Sequence, residues 1–408
     1  MDVRLADAPF RRREGLDDLT AALGGDAGET RFVGGVVRDT LLGLAASDVD
    51  LATVHAPASV IERLRSAGIK AVPTGIAHGT VTAVLPSGPV EVTTLRRDVS
   101  TDGRHAVVAY STDWQEDASR RDFTMNALYA DTGSGAVHDF FGGLADLRAR
   151  RVRFIGDPFR RIAEDHLRIL RFFRFHARFG DAFDGEGLGA CAARANDLMA
   201  LSRERIASEL LKLLIAPGAV PVVALMVDRG ILRAVLPEID TAGAVRLAVL
   251  AEREERAGVA PDPIRRLATI VPASEAEAVA ARLKLSNQQR KRMAAANAGP
   301  GDEGPLGLAY RAGVDGAVDR LLISGEAPEA LLGWTPPRLP IAGGDLVARG
   351  LAKGPLVAAT LKMIETQWIA EGFPGRDRAE RIADAAVAQA LAGAISDQAS
   401  STSSGRAK

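Results

Sequence analysis

Apolar and polar positions alternate from Thr80 to Leu95: Thr80-Val-Thr-Ala-Val-Leu, then Val90-Glu-Val-Thr-Thr-Leu, with Pro86-Ser-Gly-Pro between them. A period of two in β-branched residues around a turn-forming tetrapeptide predicts a hairpin. Arg31-Phe-Val and Asp48-Val-Asp-Leu-Ala-Thr read as further strands, and a helix is expected from Val36 to Leu42 behind Gly34-Gly35. Residues 97–113 are polar with weak periodicity and are expected to form a mobile loop. Past about residue 145 the period becomes helical. One helix is expected over Phe159–Phe179 behind Asp157-Pro158, and another over Arg203–Leu214 with Ser202 as N-cap. Helical patterns recur at Val220–Leu236, Ala242–Ala257 and Ala273–Ala296, then near 344–350, 355–371 and 374–393. Turn-rich breaks lie at Asn297–Pro305 and Pro336–Pro340. The expected fold class is an α/β N-terminal part followed by all-α parts. The boundaries expected are 1–145, 146–215, 216–335 and 336–395, with a disordered Ser-rich tail over 396–408.

Composition narrows the class. A chain of 408 residues with 47% hydrophobic and 25% charged positions is expected to be a soluble globular protein of two to four domains. No apolar run is long enough to span a bilayer, and MDVRLADAPFRRREG lacks the apolar core of a secretory signal. The single cysteine, Cys191, excludes an internal disulfide, suits a cytoplasmic location, and between Ala190 and Ala192 reads as buried packing. Six histidines without ligand spacing argue against a zinc site.

A net charge of −1 does not announce a nucleic-acid binder, but the distribution does. From Arg148 to Arg178 there are ten arginines against three acids, interleaved with Phe172, Phe173, Phe175 and Phe179. Arginine suits planar, bidentate recognition of phosphates and base edges, whereas the phenylalanines read as core packing.

Three stretches carry the candidate chemistry. In Val33-Gly34-Gly35-Val-Val-Arg38, paired glycines before a helix let the backbone approach a triphosphate, and Arg38 one turn on can reach a phosphate or a sugar. Asp48 and Asp50, two apart on a strand, project from one face and can hold a pair of Mg²⁺ ions about 3.5–4 Å apart. In Glu116-Asp117-Ala-Ser-Arg120-Arg121-Asp122-Phe123-Thr124-Met-Asn126, charges run straight into an apolar sequence, which places them at the edge of a core with Arg121 free to clamp a triphosphate. In Glu164-Asp165-His-Leu-Arg168, continued by Arg171 and Arg174, the spacing of three puts Asp165 and the arginines on one side of a single helix.

These stretches, with Asp139-Phe-Phe-Gly-Gly and Ser202-Arg-Glu-Arg-Ile-Ala-Ser-Glu-Leu, resemble the class II tRNA nucleotidyltransferases (CCA-adding enzymes) and the related bacterial poly(A) polymerases over about the first 215 residues. A weaker likeness covers Leu339–Phe373. The resemblance implies a DNA polymerase beta-like nucleotidyltransferase head followed by helical neck, body and tail. It implies template-independent addition of CMP, CMP and AMP from CTP and ATP to tRNA with Mg²⁺ as cofactor, and no membrane or protein partner is expected. Asp48 and Asp50 would be the catalytic metal ligands, with Glu91 a further candidate. Gly34, Gly35, Arg38 and Arg121 would hold the triphosphate or ribose. Asp165 and Arg168 would read the base, supported by Arg171 and Arg174. A poly(A) polymerase, a CC- or A-adding enzyme, and an inactive RNA-binding protein are the alternatives. The short Ser-rich end, the complete 97–113 segment, and the presence of Asp48, Asp50, Arg121, Asp165 and Arg168 weigh against them in that order. His138-Asp139 is the single His-Asp pair and lies within the Asp139-Phe-Phe-Gly-Gly stretch, so no phosphohydrolase domain is expected.

Overall fold

The computed structural model describes residues 3–46, 48–101 and 106–404. It divides the chain into two units, Met1–Val245 with Arg282–Lys284 and Arg246–Ala281 with Leu285–Lys408. Among the described residues no helix is long and apolar enough to cross a membrane.

The first unit opens on mixed α/β structure. Its described strands are β1 (Thr30–Val33), β2 (Asp50–Thr53), β3 (Lys70–Gly75), β4 (Thr80–Leu85), β5 (Gly88–Thr94), β6 (Arg96–Thr101), β7 (Ala106–Tyr110), β8 (Leu128–Asp131) and β9 (Val137–Asp139). Seven of them form one sheet in the order β3-β4-β5-β2-β1-β8-β9. The predicted hairpin is β4–β5, closed by Pro86 and Ser87 between the paired Leu85 and Gly88. Every pairing in the sheet is antiparallel except β2 with β5, and that parallel register sets Asp50 beside Glu91. The alternating burial of β4 follows from its period-two sequence, with Val81, Ala83 and Leu85 inside.

Helices α1 (Leu16–Ala22), α2 (Gly35–Leu41), α3 (Pro57–Ser66), α4 (Trp114–Ser119) and α5 (Gly143–Arg148) accompany the sheet in sequence. They are followed by α6 (Pro158–Glu164), α7 (Arg168–Phe179), α8 (Gly185–Ala193), α9 (Arg203–Leu214) and α10 (Ala219–Asp228). Phe172 and Phe173 of α7 are fully buried, and Phe154 stacks on Phe172 with ring centroids 5.4 Å apart. Each such ring contributes about 1.5–3 kcal/mol by leaving water, so the phenylalanines anchor α7 and leave its arginines on the other face. Cys191 is buried as expected, and burial pushes its thiol up.

Three expectations fail here for physical reasons. The segment 97–113 is not simply a loop: β6 and β7 pair as an antiparallel ribbon, and residues 102–105 lie outside the described ones. The β-branched Val99, Val107 and Val108 carry a strand propensity that the polar surroundings hide. The helix expected over Phe159–Phe179 is two helices, broken at Asp165, whose backbone is extended at φ −152° and ψ 106°. Asp165 turns the chain towards the next helix: its carboxylate accepts the Leu167 N–H and its carbonyl the Arg168 N–H. The pattern over Val220–Leu236 ends as helix at Asp228, where Gly230 at φ 66° closes α10.

The second unit is helical: most of α11 (Thr241–Arg256), then α12 (Pro263–Ile270), α13 (Ala276–Arg282), α14 (Asn287–Ala296), α15 (Gly304–Ala312), α16 (Val314–Ser324), α17 (Gly343–Ala348), α18 (Pro355–Ala370) and α19 (Arg376–Ser404). The pattern over Ala273–Ala296 is split by Lys284 at φ 53° and by a capping box between Ser286 and Gln289. One apolar cluster gathers around Leu346, Ile364 and Trp368, another around Leu308, Leu321 and Leu331. Buried Glu254 takes Arg265 and Arg266, and buried Asp319 takes Arg292, which ties α11, α12, α14 and α16 together by charge. Helix α19 continues to Ser404, past the point where a Ser-rich composition predicts disorder, because Ala-rich Ala385–Ala394 precedes it and propagates the helix.

Candidate active site

Residues from β2, β5, α7, α9 and the turns before α2 and around α4 line one cavity of about 880 Å³ in the first unit. Its floor is acidic. Asp50 opens β2, Glu91 lies opposite it on β5, and Asp48 precedes the strand rather than lying on it. The alternation still holds: Val49 and Leu51 are buried, while Asp48 is exposed and Asp50 half-buried. Burial and the Glu91 carboxylate push Asp50 up to about 6 against the pull of Arg121, with Asp48 adding to the rise. Among the described residues no three or more His, Cys, Asp or Glu side chains close into a metal cage. A hard divalent cation does not need one, since one or two carboxylates suffice when substrate phosphates and water complete its shell. Asp50 and Glu91 lie side by side in the β2–β5 register, and burial together with this neighbour raises Asp50, a donor set that such a cation relieves, so the residues fit it.

Gly34 and Gly35 form the adjacent wall. Gly34 sits at φ 69° and ψ −117° as N-cap of α2, a conformation open to glycine. Arg38, one turn on, is buried under the glycines; it donates to Asp39 at 2.8 Å and stacks over the Phe179 ring at 4.3 Å. Burial pulls its guanidinium below the ordinary value, and Asp39 opposes that shift.

Arg121 reaches the cavity from the end of α4. Fully buried Asp117 holds it at 3.0 Å, holds Arg120 at 2.6 Å, and accepts the Tyr129 hydroxyl at 2.7 Å. Burial works against the Asp117 charge, but Arg121 and Arg120 hold its carboxyl down at about 2. The acids and arginines of this stretch are therefore at the edge of a core, as the sequence predicts, and Asp117 is the counter-charge on which both arginines turn. The Arg121 guanidinium is held above its ordinary value by Tyr129 and Asp117 despite its burial.

Asp165, Arg168, Arg171 and Arg174 line the same cavity. The sequence spacing sets Asp165 and Arg168 on one side of a single helix, and the structure corrects it, because the helix breaks at Asp165. Arg168 instead pairs with Glu164 at 2.6 Å and donates to the carbonyls of Arg161 and Arg120 at 2.9 Å each. Asp165 pairs with Arg205 of α9 at 2.8 Å. Arg171 makes a two-point contact with Asp122, and Arg174 pairs with Glu209 of α9. Burial raises Asp122, but Arg171 and Asn126 outweigh it and hold the carboxyl below the usual range. Thus Asp48, Asp50, Glu91, Gly34, Gly35, Arg38, Arg121, Asp165, Arg168, Arg171 and Arg174 all line one cavity. Sequence reasoning missed the partners Asp39, Asn126, Glu164, Arg205 and Glu209, and it missed Lys212, which also lines the cavity. Pairing Arg38, Arg121, Arg168, Arg171 and Arg174 each with an acid leaves these cations fixed in direction, so little ordering cost falls on ligand binding.

A mixed α/β head with strand carboxylates, a glycine turn and a wall of fixed arginines defines a nucleotidyltransferase joined to helical structure. The family model described as "Poly A polymerase head domain" matches residues 30–153, and that described as "Probable RNA and SrmB- binding site of polymerase A" matches residues 183–242. The chain is 36% identical over 384 residues to the mitochondrial CCA tRNA nucleotidyltransferase 1 of Mus musculus, covering 88% of this chain and 87% of that one. It is 34% identical over 392 residues to the Homo sapiens counterpart, with the same coverage of 88% and 87%. The solved CCA-adding enzyme of Bacillus stearothermophilus, in complex with CTP, superposes with a TM-score of 0.68 at 28% identity, over 87% of this chain and 93% of that one. The chain belongs to the family of CCA-adding tRNA nucleotidyltransferases and poly(A) polymerases.

Proposed function

We propose that this chain adds CMP, CMP and AMP from CTP and ATP to the 3′ end of tRNA, without a nucleic-acid template and with release of pyrophosphate. The observation that carries this reading is a single cavity lined by an acceptor, Asp165, a donor, Arg168, the carboxylates Asp48 and Asp50, and the Gly34-Gly35 turn. The curated relatives named above support the specific activity.

In this reading Gly34, Gly35, Arg38 and Arg121 hold the triphosphate and ribose, which sets the α-phosphate in line with the RNA 3′ hydroxyl. That oxygen bonds to the α-phosphorus as the bond to pyrophosphate breaks. Asp48 and Asp50, with Glu91 alongside, would hold Mg²⁺, whose charge serves the attacking hydroxyl and the departing pyrophosphate. Residues 1–145 would do the chemistry, 146–215 the base selection, and 216–335 with 336–395 the gripping of tRNA by its backbone shape.

Cytosine and adenine each present an amine donor beside a ring-nitrogen acceptor; uracil and guanine present a carbonyl beside a ring N–H. A carboxylate only accepts and a guanidinium only donates, so Asp165 with Arg168 matches C and A and opposes U and G. A buried mismatch costs about 1–3 kcal/mol per group, so Asp165→Ala or Arg168→Ala is expected to lose about tenfold or more in preference for CTP over UTP. Single-nucleotide incorporation of all four NTPs measures it, and unchanged preference in both variants overturns the assignment. The activity itself is tested with tRNA lacking its CCA end, each nucleotide singly and together, by product length. Extension by a long A tract from ATP alone would favour a poly(A) polymerase instead.

A further inference from the structure

Asp165 lies in the break between α6 and α7, where no helix fixes its carboxylate. Two contacts do so instead. Its Oδ1 accepts the Leu167 N–H at 3.1 Å, and the Nη2 of Arg205 reaches Oδ1 at 3.1 Å and Oδ2 at 2.8 Å. Arg205 comes from the first turn of α9, where its own N–H is taken by the Ser202 cap. Asp165 lines the cavity, whereas the half-exposed Arg205 does not, so the guanidinium holds the carboxylate without taking up cavity space. Arg168 has a separate anchor in Glu164 and two carbonyls, so the two base-facing groups are held by different elements.

Resting on the proposed role of Asp165, we infer that Arg205 is the positioning residue that makes this carboxylate a specificity element. An ionised carboxylate has about four lone-pair directions, and Leu167 and Arg205 occupy about three of them. The open direction faces the cavity, where an exocyclic amine of C or A completes the set. Arg205 thereby does two things. It fixes the direction in which the Asp165 carboxylate accepts, and it prevents the carboxylate from turning onto the neighbouring guanidinium of Arg168, which would erase both reading groups at once. Arg205 touches neither phosphate nor metal ligands, so its loss is felt in recognition of the base rather than in the chemical step.

The test compares Arg205→Gln, Arg205→Lys and Asp165→Ala by steady-state incorporation of CTP, ATP, UTP and GTP onto matched tRNA ends, with unfolding midpoints for each. In Arg205→Gln the KM for CTP and ATP rises about tenfold, kcat stays within about threefold, and the preference for CTP over UTP falls about tenfold. Arg205→Lys restores most of that preference because it keeps the charge beside Asp165. A loss of kcat shared equally by all four nucleotides, with a lowered unfolding midpoint, would mark Arg205 as merely structural and overturn the inference. Wild-type preference in Arg205→Gln beside a loss in Asp165→Ala overturns it too, while leaving the base-reading role intact. Unchanged preference in Asp165→Ala removes that role, and this inference with it.

Discussion

Asp50→Ala is expected to abolish addition of both C and A, lowering kcat by about a thousandfold or more, while tRNA affinity and the unfolding midpoint hold. Both steps fail together because a cation held by this carboxylate would serve every addition, whichever base is read. The fold survives because the carboxylate is a cost to it. Burial and Glu91 push Asp50 up to about 6, so in metal-free protein its charge opposes the native state at neutral pH. Asp48→Ala is expected to behave alike, with Asp48 more exposed and the fold even less affected. Single-turnover extension with CTP, then with ATP on a CC-ended tRNA, measures the loss, beside thermal unfolding. Turnover within tenfold of the unchanged chain would refute the metal-ligand assignment.

How much of this was legible in the sequence depends on the range of the interaction. Gly34, Gly35, Arg38, Asp48 and Asp50 lie within one short stretch that runs from the turn before α2 to the start of β2, and they line one cavity. Helix α9 was readable to the residue because Ser202 caps it and its apolar positions repeat. The other halves of the ion pairs were not readable. Arg205 is 40 positions from Asp165, Arg171 is 49 from Asp122, and Arg174 is 35 from Glu209, and no local periodicity encodes such pairings. The break at Asp165 was hidden for a related reason. Arginine and phenylalanine keep a helical pattern across it, and only the extended backbone and turn contacts of Asp165 reveal that the chain restarts there. Helix α8 was missed because its Gly- and Ala-rich sequence shows little periodicity, and α12, α15 and α16 because helices this short are stabilised by burial rather than by local pattern.

Asp117 is the residue on which fold and site depend together. Its carboxylate is fully buried and is met by Arg120, Arg121, the Tyr129 hydroxyl and the Arg96 N–H. Asp117→Ala leaves two largely buried guanidiniums facing each other without a counter-charge, which is expected to destabilise the first unit by about 3–5 kcal/mol. Asp117→Asn keeps the shape and is expected to cost less, yet it frees Arg121 to swing and so raises KM for both CTP and ATP. The pH dependence has a definite sign. With the carboxyl held at about 2 by Arg121 and Arg120, below its ordinary value, its stabilisation is fully present above that ordinary value. It is lost as pH falls from about 4 towards 2, and Asp117→Asn abolishes this part of the acid sensitivity. Denaturant midpoints of the three proteins at pH 7 and pH 3, followed by the fluorescence of Trp114 beside Tyr129, separate the two effects. An Asp117→Ala midpoint equal to that of the unchanged chain would show that the two arginines find water instead, and that Arg121 does not depend on Asp117 for its place in the site.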